Sequence, residues 1–402
     1  MFKKSKLLVI LLALALIPAT ASATLTRVIG FGGEQAGFVI KDSSNPVLFP
    51  STLVYYPHIL FAEFAPGMGG TYLDRVGAWY GFGEGKCVLG FDVFKRAKTG
   101  YMGMPEIPAG DDMLPYRLNV RWAKPFGNVA VGAALGLYHE SFKNKTADNK
   151  VDSLEQKSTI IGLDLGLTAL DNLLDVAFGF EMPSWTNKAD TGKTQTENDG
   201  SMLIKFAGRY WYHYGDKTTL IPNFELRMLT DAYKSPGNAG TADDESYSAS
   251  SMIFRLGLGH NWKPADNVLV LFDFGVQFKS TKYEYKYGAN DTSGTNADQY
   301  LPYWRCGWEG GVFKWLKIRA GAEKIWQNEK REWDAVAEWP DPTQPDEGKT
   351  VTNMYLGGDF NFGPVCIQYL MDQDFVRRGP YFISGSAGAM FHRFSLFYNI
   401  PQ

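Results

Sequence analysis

The sequence has no apolar run long enough to cross a bilayer as a helix. Its most continuous apolar stretch covers residues 7–17. No later segment holds the roughly eighteen uncharged apolar residues in a row that a spanning helix requires. This absence argues against a helical membrane protein.

Cysteine and histidine are also scarce, with 3 and 5 residues in a chain of 402. Cys87, Cys306 and Cys366 lie far apart, so their spacing fits neither a disulfide framework nor a metal site. We expect ordinary packed thiols, with a Cys306–Cys366 bridge as the alternative. The histidines do not cluster with other ligands, and the sequence therefore predicts no metal and no cofactor.

The chain has no excess of basic residues once its N-terminus is set aside. Residues 1–6 contain three lysines, residues 7–17 are apolar, and residues 21–23 read Ala-Ser-Ala. This order is typical of a secretory signal peptide, here cleaved after Ala23. The mature chain would carry 37 basic and 43 acidic residues, a net charge of about −6. That balance does not favour a nucleic-acid partner.

Long alternating segments are what the sequence does contain, together with 43 glycines and 15% aromatic residues. Alternation over ten or more residues exceeds the usual soluble strand of about five or six and matches the roughly nine to eleven needed to cross a bilayer at a tilt. In residues 116–122 the apolar face is Tyr116, Leu118, Val120 and Trp122, and the polar face is Arg117, Asn119 and Arg121.

Such strands can live in hydrocarbon only as a closed barrel, because every backbone N–H and C=O must then be paired. Short turns recur about every 42 to 50 residues and alternate with long polar loops. A propeller has a similar period but packs four short strands into it. We therefore predict an all-β fold, a closed antiparallel transmembrane β-barrel of about 16 strands (range 14–18), with residues 377–389 as the place for an additional strand.

The predicted domains are a signal peptide (1–23), an N-terminal periplasmic or hatch-like segment (24–57) and the barrel (58–402). A signal peptide followed by a barrel implies a bacterial outer membrane, with its lipid as a partner. The predicted strands lie near residues 58–65, 74–83, 86–95, 115–124, 128–142, 157–169, 172–183, 200–214, 218–232, 248–263, 267–285, 300–312, 315–328, 350–362, 364–372 and 389–400.

The hairpin around Lys314 gives a test of register, because the numbers of facing residues add to a constant. A register centred on Lys314 pairs Arg305 with Glu323 and Glu309 with Arg319. Both pairs are opposite in charge, as facing side chains in a confined lumen should be.

The hairpin around Gly215 gives a second test of register. A register centred there pairs Lys205 with Glu225 and Phe206 with Phe224. Chance pairing is the alternative for any one match, but the three charge pairs together favour the barrel registers.

The polar strand faces would line the lumen and suit passive passage of small solutes whose identity the sequence does not reveal. A structural barrel whose charges only fill a narrow lumen with salt bridges is an alternative. The predicted lumen-lining residues are Arg117, Arg121, Lys205, Arg209, Glu225, Arg227, Asp273, Arg305, Glu309, Arg319, Glu323 and Asp359.

The segment before the first strand resembles the long-chain fatty-acid transporter (FadL) family, in Gly32-Gly33, Ala36-Gly37, Asp42 and Asn45-Pro46. It departs from that family in having Val47-Leu48 after Asn-Pro. The resemblance covers about thirty residues plus the general porin-like barrel pattern. It implies a fourteen-stranded barrel with an N-terminal hatch that passes hydrophobic compounds. The residues it assigns to the hatch are Phe38, Asp42, Asn45, Pro46, Leu48 and Phe49.

One enzymatic alternative rests on His139-Glu140-Ser141. A histidine two residues before a serine shares its strand face, where the imidazole could act as a base for the hydroxyl. This is similar to the His-x-Ser arrangement of outer-membrane phospholipase A and lipid A deacylase. No third orienting residue can be assigned, and a polar strand end explains the same residues, so we predict no enzyme activity.

Topology provides the first test. We expect the long loops, including residues 184–199 and 329–349, to face outward, because outer-membrane barrels keep short turns on the periplasmic side. Protease added to intact cells should therefore cut within these loops. Cleavage confined to the short turns at Gly215 or Pro264 would reverse the orientation.

Overall fold

The computed structural model describes residues 25–67, 70–83, 87–95, 116–144, 154–189, 194–235, 245–287, 290–333, 347–373 and 390–401. The predicted signal peptide (1–23) and the additional strand in 377–389 lie outside these residues. The strands are β1 (Ile59–Gly67), β2 (Gly70–Phe82), β3 (Cys87–Lys95), β4 (Tyr116–Phe126), β5 (Val129–Asn144), β6 (Leu154–Ala169), β7 (Leu174–Ala189), β8 (Thr194–Asn198), β9 (Met202–Tyr210), β10 (Tyr212–Gly215), β11 (Thr218–Ser235), β12 (Glu245–Ala265), β13 (Val268–Tyr287), β14 (Asn290–Phe313), β15 (Leu316–Trp333), β16 (Glu347–Phe362), β17 (Val365–Gln373) and β18 (Met390–Asn399).

These strands form one closed antiparallel barrel. Neighbours in the chain pair with each other, and β1 pairs with β18 through partners such as Ile59 and Asn399. The segments β8, β9 and β10 follow one another between β7 and β11 and occupy a single strand position. The described strands therefore form a barrel of sixteen strands, which confirms the predicted closed antiparallel barrel. The fourteen strands implied by the family resemblance are wrong for this chain.

The two faces of each strand divide as the alternation predicts. Arg117 and Arg121 are each 3% exposed, whereas Leu118 between them is 43% exposed. The exterior is thus apolar, and exposed aromatic residues stand near the short turns, as in membrane barrels. No helix among the described residues is long and apolar enough to cross a membrane. The aromatic residues at the turn end include Phe126, Trp262, Phe313, Trp315 and Phe362.

The hairpin β14–β15 has the predicted register. Arg305 faces Glu323, and Glu309 faces Arg319. Charge complementarity therefore located this pairing correctly from the sequence.

The register predicted around Gly215 is wrong by two residues. Lys205 faces Arg227, and Glu225 faces Ala207. The cause is the position of the turn: Gly215 still pairs with Thr218, so the chain turns at residues 216 and 217, beyond the predicted centre. A one-residue irregularity between His213 and Gly215 then sets the register of the partners that follow.

The strands on the loop side are longer than predicted, with 20 residues in β13 and 24 in β14. The predicted loop 184–199 is partly strand, since β7 continues to Ala189 and β8 begins at Thr194. Likewise β15 reaches Trp333 and β16 begins at Glu347, inside the predicted loop 329–349. Backbone pairing continues there because it does not depend on an apolar outer face.

The N-terminal segment, which we define as residues 25–56, lies inside the barrel near the short turns. It has a helical turn, α1 (Leu25–Ile29), and three 3-10 turns, Glu34–Phe38, Asn45–Val47 and Pro50–Tyr55. Its apolar side chains form most of the larger of the two buried apolar clusters of the described residues. The interior of this barrel is therefore packed with its own chain.

Glycines in the wall allow the N-terminal segment to approach closely. A Cβ atom at Gly132 would lie 2.4 Å from the carbonyl carbon of Pro50, and one at Gly307 would lie 2.5 Å from Cδ1 of Phe31. Both distances are shorter than any real contact, so only glycine fits at these two wall positions while the segment is in place.

A methyl group at Gly132 should loosen the N-terminal segment. We expect Gly132→Ala to destabilise the packing by about 1–3 kcal/mol, the usual cost of overfilling a packed site. Limited proteolysis of the purified barrel should then cut residues 25–56 faster.

The matched control is Gly348→Ala, because a Cβ there meets only Asn328 Oδ1, at 3.7 Å. Heat-modifiable gel migration should persist in both variants. Equal protection of the segment in Gly132→Ala and Gly348→Ala would contradict the close packing.

Candidate functional site

The twelve predicted lumen-lining residues are all between 0% and 8% exposed on the inner face of the wall. The arginine Arg319 stands at the centre of one group. Its Nη2 donates to Glu309 Oε2 at 2.6 Å and to Asp359 Oδ2 at 2.8 Å. Arg27 of the N-terminal segment donates from Nε to the same Glu309 oxygen at 2.8 Å. This ion network therefore joins the wall to the segment.

A second group is centred on Asp92, which the sequence reasoning missed. Arg121 donates from Nε to Asp92 Oδ1 at 2.5 Å, and Arg75 donates from Nε to Oδ2 at 3.3 Å. Arg121 also donates to the carbonyl of Pro46 at 2.9 Å. The sequence did contain an indication: Asp92 is the one carboxylate in a mostly apolar strand, and it stands at a position whose side chain faces inward.

The other predicted cations of the wall also have carboxylate partners, as buried charges require. The pairs are Arg117 Nη1 with Glu181 Oε1 at 2.5 Å, Lys205 Nζ with Asp164 Oδ1 at 3.3 Å, Arg227 Nε with Glu225 Oε1 at 2.6 Å, and Arg305 with Asp273 Oδ2 at 3.0 Å and Glu323 Oε2 at 3.2 Å.

Arg209 holds the N-terminal segment through several hydrogen bonds. Its Nη1 donates to the carbonyls of Gly37 at 2.8 Å and Ile40 at 3.1 Å, and its Nη2 donates to Asn45 Oδ1 at 2.9 Å. Its Nε donates to Asp175 of the wall at 2.8 Å. This guanidinium thus satisfies backbone carbonyls that no strand or helix pairs.

Arg255 contacts the same segment in a different way. It is 0% exposed, and its Cζ lies 3.8 Å from the ring centroid of Phe38. None of its three nitrogens makes a hydrogen bond to another described residue. Its Nε lies 3.7 Å from Oε2 of Glu225, which is already paired with Arg227. The contact is therefore a cation–π stack around a poorly compensated buried charge.

The polar residues predicted for the hatch form a compact group inside the segment. Asp42 accepts from Arg27 Nη1 at 3.0 Å and from the backbone N–H of Ser44 at 2.9 Å. Burial raises the pKa of the Asp42 carboxyl, and both contacts oppose that shift. Asn45 Oδ1 accepts from the N–H of Asp42 at 2.9 Å, while its Nδ2 donates to Gly37 at 3.2 Å. Asn45 therefore connects the turns of the segment.

The remaining predicted hatch residues, Phe38, Pro46, Leu48 and Phe49, are buried. Phe38 and Phe49 meet edge to face, with ring centroids 5.8 Å apart. Each of the two rings also carries a wall arginine on its face. These rings are therefore the apolar counterpart of the Arg209 and Arg255 contacts.

Three cavities border the N-terminal segment. The amphipathic cavity is lined by Leu25 and Leu48 of the segment on one side and by Arg117 and Arg121 of the wall on the other. The loop-side cavity, about 400 Å³, has a tyrosine- and glutamine-rich lining that includes Tyr300. The turn-side cavity, about 360 Å³, is bordered by residues next to the short turns: Lys41, His213, Asp216, Lys217, Lys263, Asp266 and Lys317 among others.

The enzymatic alternative gains no support from the positions of its residues. His139 and Ser141 are exposed on the outer face of β5. His139 Nδ1 lies 2.9 Å from Thr159 Oγ1 on the neighbouring strand, so the contact of this ring nitrogen is with Thr159 and not with Ser141. The three cysteines are all free, and no cluster of potential metal ligands occurs in the described ranges.

No protein-family model and no curated protein matches the chain. The ferric yersiniabactin uptake receptor FyuA from Yersinia pestis aligns at 8% identity and a TM-score of 0.46, covering 78% of this chain and 54% of FyuA. The CymD monoaromatic hydrocarbon channel aligns at 10% identity and a TM-score of 0.39, and the alignment covers 93% of this chain and 99% of CymD. The alcaligin outer membrane receptor FauA from Bordetella pertussis aligns at 8% identity and a TM-score of 0.39, and the alignment covers 85% of this chain and 75% of FauA. These likenesses are too distant to assign the chain to a family.

Arg209 and Arg255 form a matched pair for testing what holds the segment. Replacing Arg209 with Met should release residues 25–56, because it removes the wall's donors to the carbonyls of Gly37 and Ile40 and leaves Asp175 without its ion pair. Breaking such a buried network costs about 3–5 kcal/mol. Replacing Arg255 with Met should leave the segment in place or hold it more firmly, because an unbonded buried charge is removed.

Protease sensitivity of residues 25–56, measured in the purified variants, distinguishes the two effects. Release in Arg255→Met together with retention in Arg209→Met would contradict the assignment of the hydrogen-bonded arginine as the anchor.

Proposed function

We propose that this protein is an outer-membrane channel or transporter for small solutes, with residues 25–56 acting as a plug. The supporting observation is that the lumen of a closed sixteen-strand barrel is occupied by its own N-terminal segment. In this proposal the apolar exterior contacts lipid, and the short turns face the periplasm.

The plug is held by contacts that can be broken and remade. It contributes no strand to the barrel and is attached through its one covalent connection to β1. Otherwise its polar contacts are ion pairs and hydrogen bonds, such as Arg27 with Glu309 and Arg209 with Asn45. A displaced plug would leave the wall intact, since strand pairing begins at Ile59.

The amphipathic cavity bears on the class of solute. Leu25, Val28 and Leu48 supply apolar surface from the plug, and Arg117 and Arg121 supply polar surface from the wall. The cavity is only about 60 Å³ with the plug in place, so a solute path would open there only when the plug moves. Its lining would then suit solutes with both an apolar body and polar groups. This is compatible with the hydrophobic compounds that the family resemblance implies.

Two other functions compete with transport. A structural barrel would keep residues 25–56 permanently in place. A lipid hydrolase would need Ser141 to be activated, and the hydrogen bond of His139 goes to Thr159. Transport is the function that gives the displaceable segment a role.

Deleting residues 28–50 should leave a folded barrel but raise its conductance. The barrel is stabilised by closed backbone pairing and lipid-facing apolar residues, to which this segment contributes little. Planar bilayer recordings of the full chain and the deletion provide the measurement, and Arg209→Met, with the segment still attached, should show intermittent openings.

Persistence of heat-modifiable migration in both variants would show that the barrel still folds. Identical conductance with and without residues 28–50 would identify the segment as a tail and refute the plug proposal.

A further inference from the structure

The lysines around the turn-side cavity differ from most other cations of the lumen. Lys41, Lys217, Lys263 and Lys317 border this cavity, and none of them forms an ion pair in the described parts of the chain. Lys41 donates to the carbonyl of Asn172 at 2.8 Å, and Lys217 donates to a turn carbonyl at 2.9 Å. Lys41 Nζ also lies 4.8 Å from the ring centroid of Trp211. Carbonyls and an aromatic ring carry no formal negative charge, so the positive charges are not neutralised.

Cations beside the two other cavities are compensated by carboxylates. Arg121 is bound to Asp92 at 2.5 Å beside the amphipathic cavity, and Arg305 is bound to Asp273 at 3.0 Å beside the loop-side cavity. Arg393 beside the loop-side cavity is an exception. Among the cations that border the three cavities, unpaired positive charge is therefore concentrated at the turn end.

The carboxylates that border the turn-side cavity do not balance its lysines. Glu309 attracts Lys317 but is already bound to Arg27 and Arg319. Asp216 and Asp266 lie at the exposed rim, as do Lys217 and Lys263. Four lysines thus face two rim carboxylates, and the cavity is net positive.

The surroundings of Lys41 show the effect of this imbalance. Burial lowers the pKa of its ammonium group, Asp175 opposes the shift, and the positive charges of Arg209 and Lys263 add to it. An anion placed between Lys41 and Lys263 would relieve the repulsion between them.

We propose that the turn-side cavity is a binding site for a small oxyanion that carries at least two negative charges, such as inorganic phosphate or a small dicarboxylate. Its volume of about 360 Å³ holds such an ion with several waters. Ammonium groups bind phosphate and carboxylate oxygens through charge-assisted hydrogen bonds. A monovalent anion would compensate fewer of the four charges and bind more weakly.

The site has two sides with different origins. Lys41 belongs to the N-terminal segment, whereas Lys217, Lys263 and Lys317 belong to the wall. A bound anion would therefore contact both parts and hold them together. Binding to this site does not require that the barrel transports anything, so the two proposals can fail separately.

Isothermal titration of the detergent-solubilised full chain with inorganic phosphate tests the proposal. The buffer is kept near pH 8 and about 0.15 M sodium chloride, which screens weak non-specific attraction. We expect saturable binding by the wild type. The double variant Lys263→Gln/Lys317→Gln should bind about tenfold more weakly, the combined effect of two modest charge contacts.

Lys282→Gln is the matched control, because Lys282 is exposed at the opposite end of the barrel and paired with Glu284 at 2.7 Å. It should bind phosphate like the wild type. Lys217→Gln alone provides a second variant should the double variant fold poorly, as judged by heat-modifiable migration, and it too should weaken binding. Absence of saturable binding by the wild type, or equal affinities in all folded variants, would overturn the proposal.

Discussion

The structure depends on the absence of hydrogen-bonding partners in hydrocarbon. Every backbone N–H and C=O within a membrane must be paired inside the protein, and a sheet achieves this only by closing on itself. Here closure occurs between β1 and β18, the two ends of the strand order. Once the outer face is apolar, alternation sends every polar residue of a strand to the inside, where each charge then needs a partner.

The wall and the N-terminal segment meet that need for each other. The irregular segment has carbonyls that no regular element pairs, and the wall has guanidinium groups with donors to spare. Arg209 and Arg121 join the two sets. Arg255 does not, since it faces Phe38 without a hydrogen bond. The contacts between wall and segment therefore include both satisfied hydrogen bonds and one buried cation that stacks on an aromatic ring.

Much of the fold could be predicted from the sequence because the membrane imposes a strict period of two. The inward positions of Arg117, Asn119 and Arg121 followed from that period alone. Register was predictable where facing charges are opposite, as for Arg305 and Glu323, and failed where the turn lies at residues 216 and 217 and not at Gly215. Several neighbouring polar residues can form such a turn, and the alternation on either side does not specify which of them do.

The contacts inside the lumen were less predictable than the wall. Asp92 has the correct parity, but its several partners come from strands whose mutual register a single sequence does not specify. The burial of Asn45 beside Arg209 could not be predicted. It depends on the path of an irregular segment, whose sequence has no repeating pattern of apolar and polar residues. Gly132 lies on the inner face of its strand, but the close approach of Pro50 to it could not be predicted from the alternation.

The long hairpins from β12 to β15 also bear on how the barrel is assembled. Each of these strands has 18 to 24 residues, well beyond the roughly nine to eleven that a bilayer requires. Their extensions lie at the end of the barrel opposite to the one where β1 begins and β18 ends. A barrel that inserts from the side of its termini has to carry these polar tips across hydrocarbon. A single strand would cross with all of its backbone N–H and C=O groups unpaired, at a high cost in free energy. In a hairpin about half of these groups are paired between the two strands, so the cost is lower. Continued pairing beyond the membrane thus makes the hairpin a natural unit of insertion.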